Sequence, residues 1–262
     1  MTLDMLFSTY GSKIYNLMDN LPLKKNKVTI IIVHQITHDA DYSDIASIMR
    51  DREDVIYIPT YTKGVTKSRN IAINNSKSDI LLFCDDDVIY RNELYQIVMD
   101  AYLESNDDFV TFAIEKNGYI DSKFRDSSHR HTLFSILSIG TIEVSVRRKA
   151  IINNGKLRFP ENLGAGSRFF ICDEPVFLSR LIKNNKKGKY IPNVICDHPD
   201  ISSGNDFRNR DGIKARLLCF HYIFGKVLGS ILYSLFILKN YKKIGFNMMS
   251  FSLLKVYWYG KD

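Results

Sequence analysis

The stretch that most constrains how this chain folds is Ile80-Leu81-Leu82-Phe83-Cys84, followed at once by Asp85-Asp86-Asp87. An unbroken apolar run of this length, bounded by polar turns, describes a strand buried on both faces, as in the interior of a parallel sheet. Three carboxylates in the next turn repel one another, and at a buried strand end each also loses hydration. Such a turn either lies open to water or holds a cation. Hard oxygen ligands favour Mg²⁺ or Mn²⁺ over zinc, and open parallel sheets bind ligands beyond the carboxyl ends of their strands. The run therefore points to a metal–phosphate site at Asp85 and Asp87. The plainer alternative is a solvated acidic turn leading into a helix from about Asn92.

The rest of the chain supplies the sheet. Leu3–Ser8, Val28–Val33, Val55–Ile58 and Phe109–Ile114 read as further strands, rich in β-branched and aromatic residues. Helical patterns over Ser12–Met18, Asp41–Arg50, the residues after Gly64, and Asn92–Leu103 separate them. Strands alternating with helices at this rhythm make an α/β protein with a mostly parallel, helix-covered sheet. Beyond Ile114 the rhythm changes. Lys116–His131 is polar and loop-like, and Leu133–Val146 contains another strand, followed by a short helix that stops at Gly155. Leu163-Gly164-Ala165-Gly166-Ser167 reads as a flexible loop before a helix opened by Asp173-Glu174-Pro175. Pro175 suits the first helical position. Tyr190–Ile195 is a last strand, His198 sits in the loop after it, and Gly212–Tyr259 is a helical tail.

Charge narrows the partners. A formal +7, with Lys and Arg clustered at Lys183–Lys189 and in the last fifty residues, suits an anionic partner. No nucleic-acid motif is present, which leaves nucleotide phosphates or an acidic membrane surface. Val227–Leu238 carries no charge between Lys226 and Lys239, but it falls short of the ~20 residues that span a bilayer. With Lys214, Arg216 and His221 before it and Lys242 and Lys243 after it, it suits either a helix lying in a membrane interface or an ordinary helix packed on the sheet. Four cysteines stand far apart with no CxxC pair, the usage of a reduced, cytosolic protein. The N-terminus lacks the pattern of a cleavable secretory signal.

Candidate site residues fall at four places besides the acidic turn. Gly64 opens a helix whose first turns carry Lys67, Ser68, Arg69 and Asn70, and a helix N-terminus attracts anions. Lys67 and above all Arg69 are candidates for a nucleotide phosphate or base edge. Glu174, held at a helix start beside a glycine loop, suits a general base, although acids there also simply complement the helix dipole. His198 is either a surface residue or a third metal ligand from a distant part of the chain. Thr9, at the end of the first strand, is a candidate contact to the base of a nucleotide.

The order Gly64-x-x-Lys67-Ser68-Arg69-Asn70, Ile80–Phe83, Asp85-Asp86-Asp87, Gly164-Ala165-Gly166 and Asp173-Glu174-x-x-Phe177-x-x-x-Leu181 resembles family 2 glycosyltransferases of the GT-A fold, over roughly Leu3–Asp200. The resemblance implies a nucleotide-sugar-binding half at 1–115, an acceptor and catalytic half at 116–205, and a separate tail at 206–262. It implies that Asp87 binds Mn²⁺ or Mg²⁺ and that His198 is a further ligand. Asp85 serves the ribose or the metal shell, and Asp86 lies with it on the donor side. The implied reaction is inverting transfer of a hexose or N-acetylhexosamine from a nucleotide diphosphate sugar, UDP-linked in the first instance. The acceptor is a glycan or lipid-linked hydroxyl in surface polysaccharide synthesis, with Glu174 as base. The expected location is the cytoplasm or the inner face of the cell membrane. The sequence departs from the family in reading Asp-Glu where Glu-Asp is usual, which keeps Asp173 as a rival base. It also has His34-Gln35 where an aspartate usually reads the uracil. Two other readings compete: a phosphotransferase of the haloacid-dehalogenase type, whose Asp-x-Asp would stand on the first strand, and a non-catalytic nucleotide-binding protein of the membrane surface.

Overall fold

The computed structural model describes residues 1–198, 207, 209–246 and 249. The expected boundary between 205 and 206 and the last stretch of the tail, 250–262, lie outside the described residues. In chain order the elements are β1 (Leu3–Tyr10), α1 (Lys13–Asp19), β2 (Val28–Gln35), α2 (Ser43–Arg50), β3 (Val55–Thr60), α3 (Val65–Asn75) and β4 (Ile80–Asp85). Then follow β5 (Ile89–Tyr90), α4 (Leu94–Leu103), β6 (Phe109–Lys116), the short strands β7 (Tyr119–Ile120) and β8 (His129–Arg130), and β9 (Val144–Arg147). α5 (Arg148–Ile151), α6 (Asp173–Lys183), β10 (Gly188–His198), α7 (Arg210–Phe224), α8 (Lys226–Lys239) and α9 (Tyr241–Ile244) complete the set.

One sheet runs through the molecule in the order β3-β2-β1-β4-β9-β6-β10-β5. β3, β2, β1 and β4 are parallel, the expected α/β arrangement. β9 then enters antiparallel between β4 and β6, and β10 returns parallel to β6. The apolar run that anchors the sequence is a central strand, and alternation explains its two-sided burial. Ile80, Leu82 and Cys84 join one core with Met5, Phe7 and Ile32 and with Ile14, Ile45 and Val98 from α1, α2 and α4. Leu81 and Phe83 join the opposite core with Leu6, Ile31, Ala72 and Ile73, and with Phe177 and Leu181 of α6. No side of this strand is left for water, so a polar residue there would have no partner. Asp4, buried in β1, meets that condition by accepting hydrogen bonds from the amides of Lys77 and Ser78 at 2.8 and 3.0 Å.

Two local expectations are corrected. Pro175 stands third in α6, not first, because the helix begins at Asp173 behind a left-handed Cys172 (φ 73°). The position still suits proline, since amides of the first turn have no intrahelical acceptor. His198 is the last residue of β10, paired with Lys116 of β6, rather than part of a loop. Register shifts between Ile191 and Val194 and between Val194 and Asp197 let β10 continue past the apolar run that marks it in sequence.

Over its described residues the tail is helical as expected. α7 packs against α6 and the loop before it, burying Ala215, Cys219 and Ile223 with Leu163, Ile171 and Val176. Arg216 is buried, Lys214 pairs with Asp211 at 3.5 Å, and the His221 ring meets the Ser230 hydroxyl at 2.9 Å, so these three form no outward basic face. α8 crosses α7 at Gly229, where a Cβ would lie 2.6 Å from the Phe220 carbonyl oxygen, and seals Tyr233 and Ile237 beneath it. Its opposite face leaves Val227, Leu228, Ile231, Leu235 and Leu238 exposed. No helix among the described residues is long and apolar enough to cross a membrane.

Candidate active site

β1, β4 and β10 deliver their carboxyl ends to one edge of the sheet, where α3, α6 and a 3-10 turn at Thr141–Glu143 close around a cavity of about 910 Å³. At its centre is Arg69, whose side chain is almost fully buried. Its position on α3 is set by neighbours that fix the helix. The Ser68 hydroxyl donates to the Val33 carbonyl at 3.3 Å, and Asn70 exchanges hydrogen bonds with the Phe159 backbone at 2.9 and 3.1 Å. Nη1 of Arg69 donates to Oδ2 of Asp173 at 2.6 Å, and Nη2 donates to Oδ1 of Asp85 at 3.1 Å. Oε1 of Glu174 lies 3.7 Å from the same Nη1. A planar fork of donors is suited to bridging carboxylates from two elements at once, which a lysine could not do. Burial disfavours the guanidinium charge, but Asp85, Asp173 and Glu174 outweigh it and hold its pKa above the ordinary value.

The acid pair is divided by this contact. Asp173 is sealed behind Arg69, and burial, then the negative charge of Glu174, raises its pKa against the pull of the guanidinium. The loop ahead of it presses close: a Cβ on Gly164, at φ +92°, would lie 2.9 Å from Cγ of Asp173 and from Cγ2 of Thr66. Gly166 approaches the backbone of Gly64, and the Val65 amide donates to the Ala165 carbonyl at 2.8 Å. The glycine loop is thus a fitted wall as well as a connection. Glu174, by contrast, lines the cavity and accepts a hydrogen bond from the Thr141 hydroxyl.

The acidic turn lines the same cavity. Asp86 is buried, which raises its pKa, while the Thr9 hydroxyl and the Lys13 ammonium, 3.7 Å away, draw it back. Asp87 is half exposed, and its Oδ1 lies 3.8 Å from Nε2 of His198, which has been brought across from β10. Among the described residues no group of three or more His, Cys, Asp or Glu side chains is close enough to hold a metal ion by itself. Asp85 faces Arg69, leaving Asp87 and His198 as a hard oxygen and an imidazole side by side. That donor set fits a divalent ion whose other positions come from phosphate and water, the usual manner for Mg²⁺.

The glycosyl transferase family 2 model matches residues 14–169, a span that carries the Arg69 helix, the acidic turn and the glycine loop. The chain belongs to glycosyl transferase family 2. It is a glycosyltransferase with the GT-A fold. No curated protein matches it in sequence. Among solved structures, residues 1–349 of S. aureus TarS superpose with a TM-score of 0.66 at 16% identity, covering 92% of this chain and 72% of that one. The same fragment in complex with UDP gives 0.65 at 17% identity, covering 92% and 72%. Its complex with UDP-GlcNAc gives 0.66 at 17% identity, covering 92% and 73%. At this identity the likeness is one of fold.

In this glycosyltransferase Thr9, Arg69, Asp85, Asp86, Asp87, Glu174 and His198 all line the one cavity. Lys67 does not. It is half-buried one turn away, and Lys63 and Lys13 line the cavity instead. His34 is fully buried: its Nε2 donates to the Gly11 carbonyl at 2.9 Å and its Nδ1 accepts from the Tyr57 hydroxyl at 2.7 Å. Gln35 reaches the cavity, with its amide donated to the Thr62 and Gly64 carbonyls at 2.8 and 3.0 Å. Thr141, Glu143 and Lys123 also belong to the lining. The sequence sign for them is faint: a glutamate three residues after Gly140, whose carboxylate returns to the Gly140 amide at 2.8 Å.

Proposed function

We propose that this glycosyltransferase moves a sugar from a nucleotide diphosphate donor, UDP-linked in the first instance, to a hydroxyl of a glycan or lipid-linked acceptor in surface polysaccharide synthesis. We take Glu174 as the general base. The observation that carries the reading is the division of the acid pair: Arg69 engages Asp173 away from the cavity, while Glu174 stands in its wall. The structures of TarS with UDP and with UDP-GlcNAc support the choice of donor class. The donor's base belongs with Thr9, its ribose with Asp85 and Asp86, and its diphosphate with Lys13 and Lys63 in place of Lys67. Asp87 and His198 would hold a divalent ion there, which when bound supplies Lewis-acid neutralisation of the departing diphosphate.

Glu174 takes the proton of the acceptor hydroxyl as its oxygen bonds to the anomeric carbon. The bond from that carbon to the phosphate oxygen breaks, and its electron pair leaves with the nucleotide. A single displacement inverts configuration and needs no enzyme nucleophile, so the protein contributes position and fixed charge. Residues 1–115 serve the donor and 116–205 the acceptor. α8 lies against an anionic membrane surface, with its exposed apolar face inward and Lys226, Lys239, Lys242 and Lys243 at its ends.

The test is nucleotide-sugar turnover with Mn²⁺. Glu174→Gln keeps donor binding and loses turnover, Asp173→Asn keeps measurable turnover, and Asp87→Ala loses Mn²⁺-dependent UDP binding. Wild-type turnover by Glu174→Gln together with an inactive Asp173→Asn would move the base to the neighbouring residue.

A further inference from the structure

Thr141 opens the 3-10 turn at Thr141–Glu143 and is 4% exposed. Its hydroxyl donates to Oε1 of Glu174, and the hydroxyl has one proton to give. Nη1 of Arg69 approaches the same oxygen at 3.7 Å. No hydroxyl, amide, guanidinium or ammonium of a described residue donates to Oε2, and the carboxyl groups of Asp173 and Glu174 also share a hydrogen bond that raises the Asp173 pKa. The turn is held in place from behind. Glu143, 3% exposed, accepts from the Gly140 amide at 2.8 Å and from Nζ of Lys123 at 2.5 Å. Lys123 also donates to the Ser138 carbonyl at 3.2 Å. The hydroxyl that meets Glu174 is therefore mounted on a braced support and not on a free loop.

We infer that Thr141 is a positioning residue for Glu174: it fixes Oε1 and leaves Oε2 as the oxygen that receives the acceptor's proton. The inference rests on the reading of Glu174 as base. A glutamate at a helix start has three side-chain torsions to settle, and a base acts only when its lone pair lies within hydrogen-bond reach of the proton it takes. Small misplacements of a reacting group are costly in rate. One charge-assisted hydrogen bond from a buried, braced donor supplies the restraint on Oε1.

The experiment compares wild type, Thr141→Val, Thr141→Ser, Thr141→Ala and Glu174→Gln in hydrolysis of UDP-glucose, UDP-galactose and UDP-N-acetylglucosamine with Mn²⁺. It separates kcat from donor KM and follows thermal unfolding in parallel. A hydrogen bond to a charged group is worth enough that Thr141→Val should lose at least about tenfold in kcat. Donor KM should be unchanged, and Thr141→Ser should recover most of the rate. Should Thr141→Val fail to fold, the Ser and Ala variants make the same comparison, differing only in the hydroxyl. If Glu174→Gln is inactive while Thr141→Val turns over like wild type, or Thr141→Ser is as slow as Thr141→Ala, the positioning role fails and the base survives. If Glu174→Gln turns over like wild type, the reading of the base fails first and this inference with it; if wild type hydrolyses none of the three donors, the reading of a UDP-linked donor fails and the proposed function with it.

Discussion

Arg69 joins three carboxylates that would otherwise repel one another, and it does so with almost no water to share the charge. Removing one member of such a buried group leaves the others uncompensated. Arg69→Met is expected to destabilise the fold by about 3–5 kcal/mol through the stranded Asp173, measured by urea unfolding. Arg69→Lys keeps a charge but reaches one carboxylate at a time, so activity should fall even where stability partly returns. A midpoint for Arg69→Met equal to wild type would show that Asp173 is neutral or solvated in the native protein. The motif residues Arg69, Asp85, Asp87 and Glu174 were legible in the sequence because their chemical types and order are unusual. Lys67 was not separable from Lys63 by sequence, since which lysine meets a cavity depends on how the first turn of α3 is rotated against the glycine loop. Thr141 and Gln35 were illegible for a related reason: each gains its role from a partner more than twenty residues away.

At the scale of elements, α8 is the test of what the tail does. One side of it is spent on α7, and the other presents five apolar side chains beside four lysines. Introducing negative charge on the open side, Ile231→Glu with Leu235→Glu, touches none of the buried contacts and should leave the unfolding temperature and donor hydrolysis unchanged. It is expected to abolish flotation with anionic phosphatidylserine-containing vesicles. Flotation by the double variant equal to wild type would remove the membrane reading and leave α8 as packing alone. The parallel strands β1, β2 and β4 were readable from apolar runs because they are central and mostly buried, whereas the edge strand β3 shows only in its β-branched composition. The antiparallel entry of β9 was not, since its run Val-Ser-Val names a strand without naming its neighbours. The end of β10 is not readable because backbone pairing through two register shifts, and not hydrophobicity, carries it to His198.

Across the whole molecule, buried histidines make stability depend on pH. His131 stacks on Phe109 at 5.5 Å and engages Thr111 and Ser135 through its two ring nitrogens, at 2.8 and 3.1 Å. Burial lowers its pKa to about 4, and His34 is lowered for the same cause. A histidine with a depressed folded pKa contributes stability that is complete above its unfolded value, ~6.5, and is lost as pH falls toward the folded one. Urea midpoints should decline between about pH 6.5 and pH 4, and His131→Gln should flatten part of that decline. A slope unchanged by the substitution would mean that other groups carry it.

β9 also governs how the enzyme can move. It comes from the later part of the chain, yet it is laced between β4 and β6 of the earlier part, so the two parts share one continuous ladder of backbone hydrogen bonds. Two lobes stitched together in this way cannot swing apart like jaws. Opening and closing of the cavity is therefore expected in the connecting segments at its rim, and not in the sheet that forms its floor.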